Sequence, residues 1–300
     1  MSGAATGAAP RLAVIIPHYN DLTRLGVCLE ALAPQLRRRR AEVECVVVDN
    51  DSPCDLAPVT AAYPEIRVLV EVKKGAAEAR NRGVAETTAP NLLFIDSDCV
   101  AAPDWLETGL ALAGSDEVIG GRVDTFDETP PPRSGAEAFE TVFAFHQKTY
   151  VEKKGFSVTA NLLTTRAVFE ATGPMRAGLS EDVDWSRRAA AAGYPLRYVD
   201  ELAVSHPTRR DWPALARKFR RTTDEGFLLN GVTPAARVKW LLRAALVLGS
   251  GVLHVGKILR SPKLASGLER RRAAATLLRI RAARCGWMIR QALTGKPLGA

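Results

Sequence analysis

The sequence predicts an α/β fold with a mostly parallel, Rossmann-like central sheet, helices on its flanks and a basic helical appendage at its C-terminal end. Three observations predict it. Short continuous apolar runs alternate with segments of helical periodicity, polar and acidic residues stand at the end of each run in turn, and the charge changes sign near residue 207. Unbroken Val/Ile/Leu runs suit strands covered on both faces, as in a sheet built from strand–helix–strand units.

Residues 12–16 make the first strand, stopped by Pro17; His18-Tyr19-Asn20-Asp21 follows as a loop in which Asn20 or Asp21 is placed to cap a helix. Leu25, Cys28, Leu29, Leu32 and Leu36 recur at helical spacing, predicting an amphipathic helix over 23–37. Strands at 43–48 and 66–72 come next, the first ending in Asp49-Asn50-Asp51-Ser52. Lys73-Lys74-Gly75 then turns into a helix over 76–85 that carries Arg80 and Asn81. The fourth strand, Leu92-Leu93-Phe94-Ile95, delivers Asp96-Ser97-Asp98. Asn20, Asp49, Asp51, Asp96 and Asp98 would thus share one sheet edge, where open α/β sheets bind ligands. Two carboxylates one residue apart suit a divalent cation carrying a substrate diphosphate. No GxGxxG follows the first strand and no GxxxxGK[ST] occurs, which disfavours dinucleotide and P-loop sites.

Further on, the pattern predicts a helix over 103–113, a strand over 118–123, a proline-rich loop over 127–135, a helix over 137–153 and an ordered segment over 157–163. A helix capped by Ser180 and an edge strand over 196–204, ending at Ser205-His206-Pro207, complete this part. Glu181 and Asp182 fall in that helix's first turn, where the macrodipole favours acids, so position alone accounts for them structurally.

Four segments in order resemble the family 2 glycosyltransferases: Ile15-Ile16-Pro17-His18-Tyr19-Asn20, Val47-Val48-Asp49-Asn50-Asp51-Ser52, Gly75 to Gly83 with Ala79-Arg80-Asn81, and Asp96-Ser97-Asp98. The resemblance spans roughly residues 12–206. It implies a GT-A-type fold and inverting transfer from a nucleotide sugar, a UDP-sugar foremost, with Mg²⁺ or Mn²⁺ as cofactor. Pro17, Tyr19, Asn20, Asp49, Asp51, Arg80, Asp96 and Ser97 would line the nucleotide-sugar pocket. Asp98, with Asp96 and His206, would hold the metal. The Glu181-Asp182 pair matches the family's catalytic acids, with Asp182 as the base and Glu181 orienting or binding acceptor beside Asn161 and Trp185. The Gln-x-x-Arg-Trp motif of the family's processive synthases is absent, which argues for addition of a single sugar.

The domain expectation is a flexible N-terminus over 1–10, a catalytic domain over 11–207 (nucleotide-sugar half 11–100, acceptor half 101–207) and an appendage over 208–300. Through His206 the chain carries 21 basic and 29 acidic residues, net −8; from Pro207 it carries 20 and 4, net +16. Such asymmetry marks an appendage that meets an anionic partner. The run 244–255 is too short to span a bilayer and holds two glycines, so an interfacial or re-entrant segment is expected rather than a crossing. A helix over 270–293 presents Ala274, Leu278, Ala282, Cys285, Ile289 and Leu293 on one face, with arginines elsewhere. A basic amphipathic helix suits an anionic membrane surface, whereas aliphatic faces without stacking aromatics speak against nucleic acid. Five scattered cysteines without a CxxC pair argue against a disulfide framework or a zinc site. With no signal-peptide pattern at the N-terminus, the expected location is cytoplasmic, at the inner face of the membrane.

The function expected is therefore metal-dependent, inverting transfer of one sugar to a hydroxyl of a lipid-linked or polysaccharide acceptor. Phosphoryl or nucleotidyl transfer at the same acidic edge is one alternative. A catalytically silent nucleotide-sugar-binding module at the membrane is another.

Overall fold

A computed structural model describes residues 9–178 and 180–299; residues 1–8, which hold most of the expected flexible N-terminus, lie outside the described residues. The chain divides into two compact units. The first runs through Asp124 and resumes from His146 to His206; the second comprises Thr125–Phe145 and the chain from Pro207. The C-terminal boundary falls where the charge changes sign. Residues 125–145, however, group with the basic unit, although they interrupt the expected acceptor half.

In the first unit, β1 (Leu12–His18), β2 (Val43–Asp49), β3 (Arg67–Val70) and β4 (Asn91–Ile95) alternate with α1 (Leu22–Arg38), the short α2 (Ala57–Ala62) and α3 (Ala76–Ala85). Then come β5 (Val100–Ala101), α4 (Trp105–Leu112), β6 (Val118–Phe126), α5 (Gly135–Phe143), α6 (Gln147–Lys154), β7 (Asn161–Thr165), α7 (Arg166–Thr172), α8 (Glu181–Ala191) and β8 (Leu196–Pro207). The sheet has eight strands in the order β3-β2-β1-β4-β7-β6-β8-β5. It is parallel from β3 through β4, then antiparallel where β7 joins β4 and β6. The β1 and β4 residues are fully buried, as unbroken apolar runs require, and Phe94 meets Phe169 and Trp185 in the core. Register places His18 beside Asp49, so the two strands end side by side.

Helix α1 begins where expected: Asp21 accepts from Arg24 N as its N-cap. The helix expected over 137–153 is instead two. Helix α5 starts with a capping box between Ser134 and Glu137, and the chain breaks at Ala144, which is extended, and Phe145, whose φ is +50°. No glycine or proline marks that break in the sequence. Helix α6 closes on Gly155 in the left-handed conformation.

The second unit is helical: α5 with α9 (Trp212–Asn230), α10 (Pro234–Leu259) and α11 (Gly267–Thr294). Its core contains Phe139, Leu215, Ile258, Leu277 and Ile280, with Phe227, Trp240 and Met288 in a second cluster. Glu140 is buried there between Lys218 Nζ at 2.5 Å and Arg209 N at 2.7 Å. The run expected to be short and interfacial belongs to a continuous helix of 26 residues. Among the described residues α10 alone is long and apolar enough to cross a membrane by length and composition. The inward face of α11 is Ala273, Leu277, Ile280, Met288 and Ala292, a second apolar series beside the one read from the sequence, of which Leu278, Ile289 and Leu293 are exposed. Both series have helical spacing, and periodicity alone does not choose between them.

Candidate active site

The C-terminal ends of β1, β2 and β4 carry the polar groups, and hydrogen bonds fix how they stand. Asp49, almost fully buried, accepts from His18 Nδ1 at 3.0 Å, from Ser52 Oγ at 2.5 Å and from Ser52 N at 3.0 Å. Burial alone would raise its pKa, but the hydrogen bonds from Ser52 and His18 outweigh it and hold the carboxyl below its ordinary value. Asp21 N donates to His18 Nε2 at 3.1 Å, so the proton of a neutral His18 sits on Nδ1, facing Asp49. Asn20 and Asp51 both adopt positive φ, +49° and +56°, which asparagine and aspartate tolerate better than other side chains. Asn20 N donates to Ser52 Oγ, tying the first loop to the second. Asn50 Nδ2 donates to Glu71 O and Lys73 O, its Oδ1 accepts from Gly75 N, and Lys74 Nζ reaches Asp51 at 2.8 Å. Pro17 is buried in β1, whereas Tyr19 is 57% exposed beside Lys74 Nζ. Ser97 is half-buried between the two acids.

Arg80 is the central cation. It is buried, donates through Nη2 to Asp96 Oδ1 at 2.6 Å and through Nη1 to Glu181 Oε1 at 3.0 Å, and its Nε has no protein partner. Burial opposes its charge, but Asp96 and Glu181 more than compensate and raise its pKa. Helix α8 therefore has its N-terminal residue anchored to the sheet edge. The next residue, Asp182, accepts from Val183 N at 2.8 Å.

Asp98 Oδ2 stands 3.3 Å from His206 Nε2, so strand β8 returns the imidazole to the end of β4. Asp96 is turned to Arg80 instead. Among the described residues no three His, Cys, Asp or Glu side chains gather as a metal-binding group. One carboxylate and one imidazole still fit a divalent ion that draws its remaining ligands from a diphosphate and water, the way Mg²⁺-type ions are commonly held.

Two residues expected on the acceptor side lie in the core. Asn161 is fully buried and satisfied: its Nδ2 donates to Arg122 O and Leu202 O, and its Oδ1 accepts from Trp105 Nε1 at 3.0 Å. Trp185 is also fully buried, stacked on Phe169 with ring centroids 5.5 Å apart and its Nε1 donating to Gly173 O. Both hold the core together and offer no polar group to a ligand. His18, Ser52, Asn50 and Lys74 escaped the sequence reading as site builders. In-register alignment of β1 with β2 would have found His18, since it faces Asp49 directly. All five cysteines are free, and Cys28, Cys45 and Cys99 are buried.

With that geometry in place, comparison with known proteins identifies the class. Residues 13–182 match the family model for glycosyl transferase family 2, and the chain belongs to that family. It is 31% identical over 225 residues to the glycosyltransferase AglE of Haloferax volcanii, covering 72% of this chain and 73% of AglE. It is 30% identical over 223 residues to the pre-mycofactocin glycosyltransferase of Mycobacterium tuberculosis, covering 68% of this chain and 44% of that one. Two solved structures share the fold. The Pyrobaculum calidifontis mannosyltransferase PcManGT, in complex with GDP-Man and Mn²⁺, matches with a TM-score of 0.54 at 16% identity, over 96% of this chain and 74% of that one. S. aureus TarS 1–349, in complex with UDP-GlcNAc, matches at 0.53 and 15%, over 95% and 92%. The protein is a glycosyltransferase with a GT-A fold.

Proposed function

We propose that the enzyme moves a single sugar, with inversion, from a nucleoside-diphosphate sugar, a UDP-sugar foremost, to a hydroxyl of a lipid-linked or polysaccharide acceptor at the cytoplasmic face of a membrane. The observation that carries this reading is Arg80, which joins the Asp96 end of β4 to the helix bearing Asp182. Donor-side and acid-bearing elements are thereby held as one piece.

Asp49, Asp51, Asn20, Pro17 and Tyr19 border the space for the nucleoside, with His18 and Ser52 fixing the Asp49 carboxylate. Asp98 and His206 would hold a divalent cation, Mg²⁺ or Mn²⁺, which when bound would supply Lewis-acid charge neutralisation for the nucleoside diphosphate. Asp182 accepts the proton of the acceptor hydroxyl as that oxygen bonds to the anomeric carbon from the side opposite the leaving group. The bond from the anomeric carbon to the diphosphate oxygen breaks in the same displacement. Glu181 is pinned by Arg80, which keeps Asp182 in place beside it.

Calorimetric titration with UDP, GDP, dTDP and CDP, each with Mn²⁺ and then with EDTA, tests the donor half. Binding of one nucleoside diphosphate that EDTA abolishes supports it and selects the donors for transfer assays. Equal binding with and without metal removes Asp98 and His206 from the metal role.

A further inference from the structure

The second unit contains a group of cations that its own carboxylates do not neutralise. Arg284 on α11 donates from Nε to Thr223 Oγ1 at 3.2 Å and lies over the Phe219 ring at 5.2 Å. Burial, then the nearby charges of Arg281 and Arg243, pull its pKa down to about 10. Arg281 has a buried Nε with no hydrogen-bond partner, and its Nη2 is 3.5 Å from His254 Nδ1. Its stem packs over Gly251, where an added Cβ would meet the Arg281 Cβ and Cγ at 3.4 Å, so the Arg281 stem lies against α10. Arg243 lies over the Trp240 ring at 5.3 Å. None of the three arginines pairs with a carboxylate among the described residues, and Asp224 on α9 is committed to Gln291 Nε2 and Leu298 N. Arg281 and Arg284 are partly buried and Arg243 is exposed; gathering like charges in this way is unfavourable unless an anion joins them.

The neighbouring surface says which anion. At about 100° per residue, Arg243, Val247, Ser250 and His254 form one stripe of α10. Leu242, Leu246 and Leu253 form the stripe beside it, and these are 65%, 74% and 81% exposed. A cluster of arginines bordered by a bare aliphatic track has the chemistry that suits a lipid: anionic head, hydrocarbon tail.

We propose that Arg243, Arg281 and Arg284 form a phosphate site for the headgroup of an anionic lipid, whose chains lie along Leu242, Leu246 and Leu253. The proposal rests on the membrane placement given above and deepens it; sugar transfer plays no part in its test.

The test is vesicle flotation of the full chain with phosphatidylcholine alone and with phosphatidylcholine containing a quarter phosphatidic acid, followed by competition with inorganic phosphate. The expected result is strong binding to the acidic vesicles only, weakened about fivefold by each of Arg281→Gln and Arg284→Gln, and weakened by phosphate. Arg281→Gln should not lower the melting temperature, because it removes a charge without a partner acid; Arg284→Gln also gives up the Thr223 bond and the Phe219 contact, so its vesicle binding is read at a temperature well below its own melting point. Leu246→Asp, on an exposed position, should weaken vesicle binding with the fold intact. Equal binding to both vesicles, unchanged in the glutamine variants, would overturn the phosphate site and leave the membrane placement standing. No binding to either vesicle would sink both. If phosphate raises the melting temperature of a protein that ignores vesicles, a free anion fills the site and the lipid is refuted. A dimer that Leu246→Asp dissociates, without lipid binding, would show that a second copy covers the leucine stripe.

Discussion

Arg80 and Glu181 are 101 residues apart in the chain and 3.0 Å apart in the structure. The same guanidinium holds Asp96 at 2.6 Å, so one buried cation bridges the end of β4 and the start of α8. Truncating it to methionine leaves two carboxylates facing each other without a cation. Breaking a buried pair costs about 3–5 kcal/mol, and the lower end applies here because Asp96 and Glu181 retain some contact with water. Urea unfolding should report that loss. Arg80→Lys should recover part of the stability but little transfer activity, since one ammonium replaces a planar fork that spans both acids.

Asp182 and Glu181 are adjacent, yet they should respond differently. Asp182→Asn removes the proton acceptor while keeping shape, so kcat should fall roughly 10²- to 10⁴-fold with nucleotide-sugar affinity unchanged. Glu181→Gln should act mainly through Arg80, lowering the unfolding midpoint and reducing kcat less. Full activity in Asp182→Asn, measured by single-turnover sugar transfer, would end its assignment as the base.

Much of this site could be read from the residues, and the exceptions have physical causes. Strands β1, β2 and β4 were legible because burial on both faces demands unbroken apolar runs, and the acids at their ends were legible as interruptions. The Arg80–Glu181 bridge was not, because nothing local records a contact made across 101 residues. The core placement of Asn161 and Trp185 was not legible for a related reason. A polar or amphipathic side chain looks the same in sequence whether its partner is a ligand or the backbone of Leu202 or Gly173. On α11 two apolar series of helical spacing coexist, and only packing decided that Leu277 and Ile280 face inward while Leu278 and Ile289 do not.

Asp98 and His206 face each other at 3.3 Å, and each should matter to metal-dependent donor binding. Loss of even an outer partner of a metal ligand costs roughly 10- to 100-fold in affinity, so Asp98→Ala should cost at least that. His206→Ala should fall within the same range, and Asp96→Asn should do less because that carboxylate is committed to Arg80. Titration of a nucleoside diphosphate in Mn²⁺ and in EDTA separates them: with metal removed, all three variants should match the parent protein.

The Asp49 carboxyl carries a pH signature. Its folded pKa lies below the ordinary value of 3.8, so it contributes stability above the unfolded pKa that is lost as pH falls through the folded one. Ser52→Ala removes two of the groups' three links, the hydroxyl donor to Asp49 and the hydroxyl acceptor for Asn20, while sparing the Ser52 N–H. The folded pKa should then rise, and acid destabilisation should begin at a higher pH. Urea midpoints between neutral pH and the carboxylate range check this, with Asp49→Asn as the variant in which the contribution disappears.

Asn161 offers the sharpest separation of structure from catalysis. Its side chain satisfies Trp105 Nε1–H and the carbonyls of Arg122 and Leu202, joining α4, β6 and β8 at a fully buried point. Asn161→Ala leaves that indole N–H without an acceptor, at a cost of about 1–3 kcal/mol before the carbonyls are counted. Leucine should be no better, because it fills the space but leaves the Trp105 Nε1–H and the Arg122 and Leu202 carbonyls without their partner. The unfolding midpoint should drop in both variants, while the acceptor KM of the protein that stays folded should hold. A raised acceptor KM at unchanged stability would instead restore Asn161 to the acceptor side of the cleft.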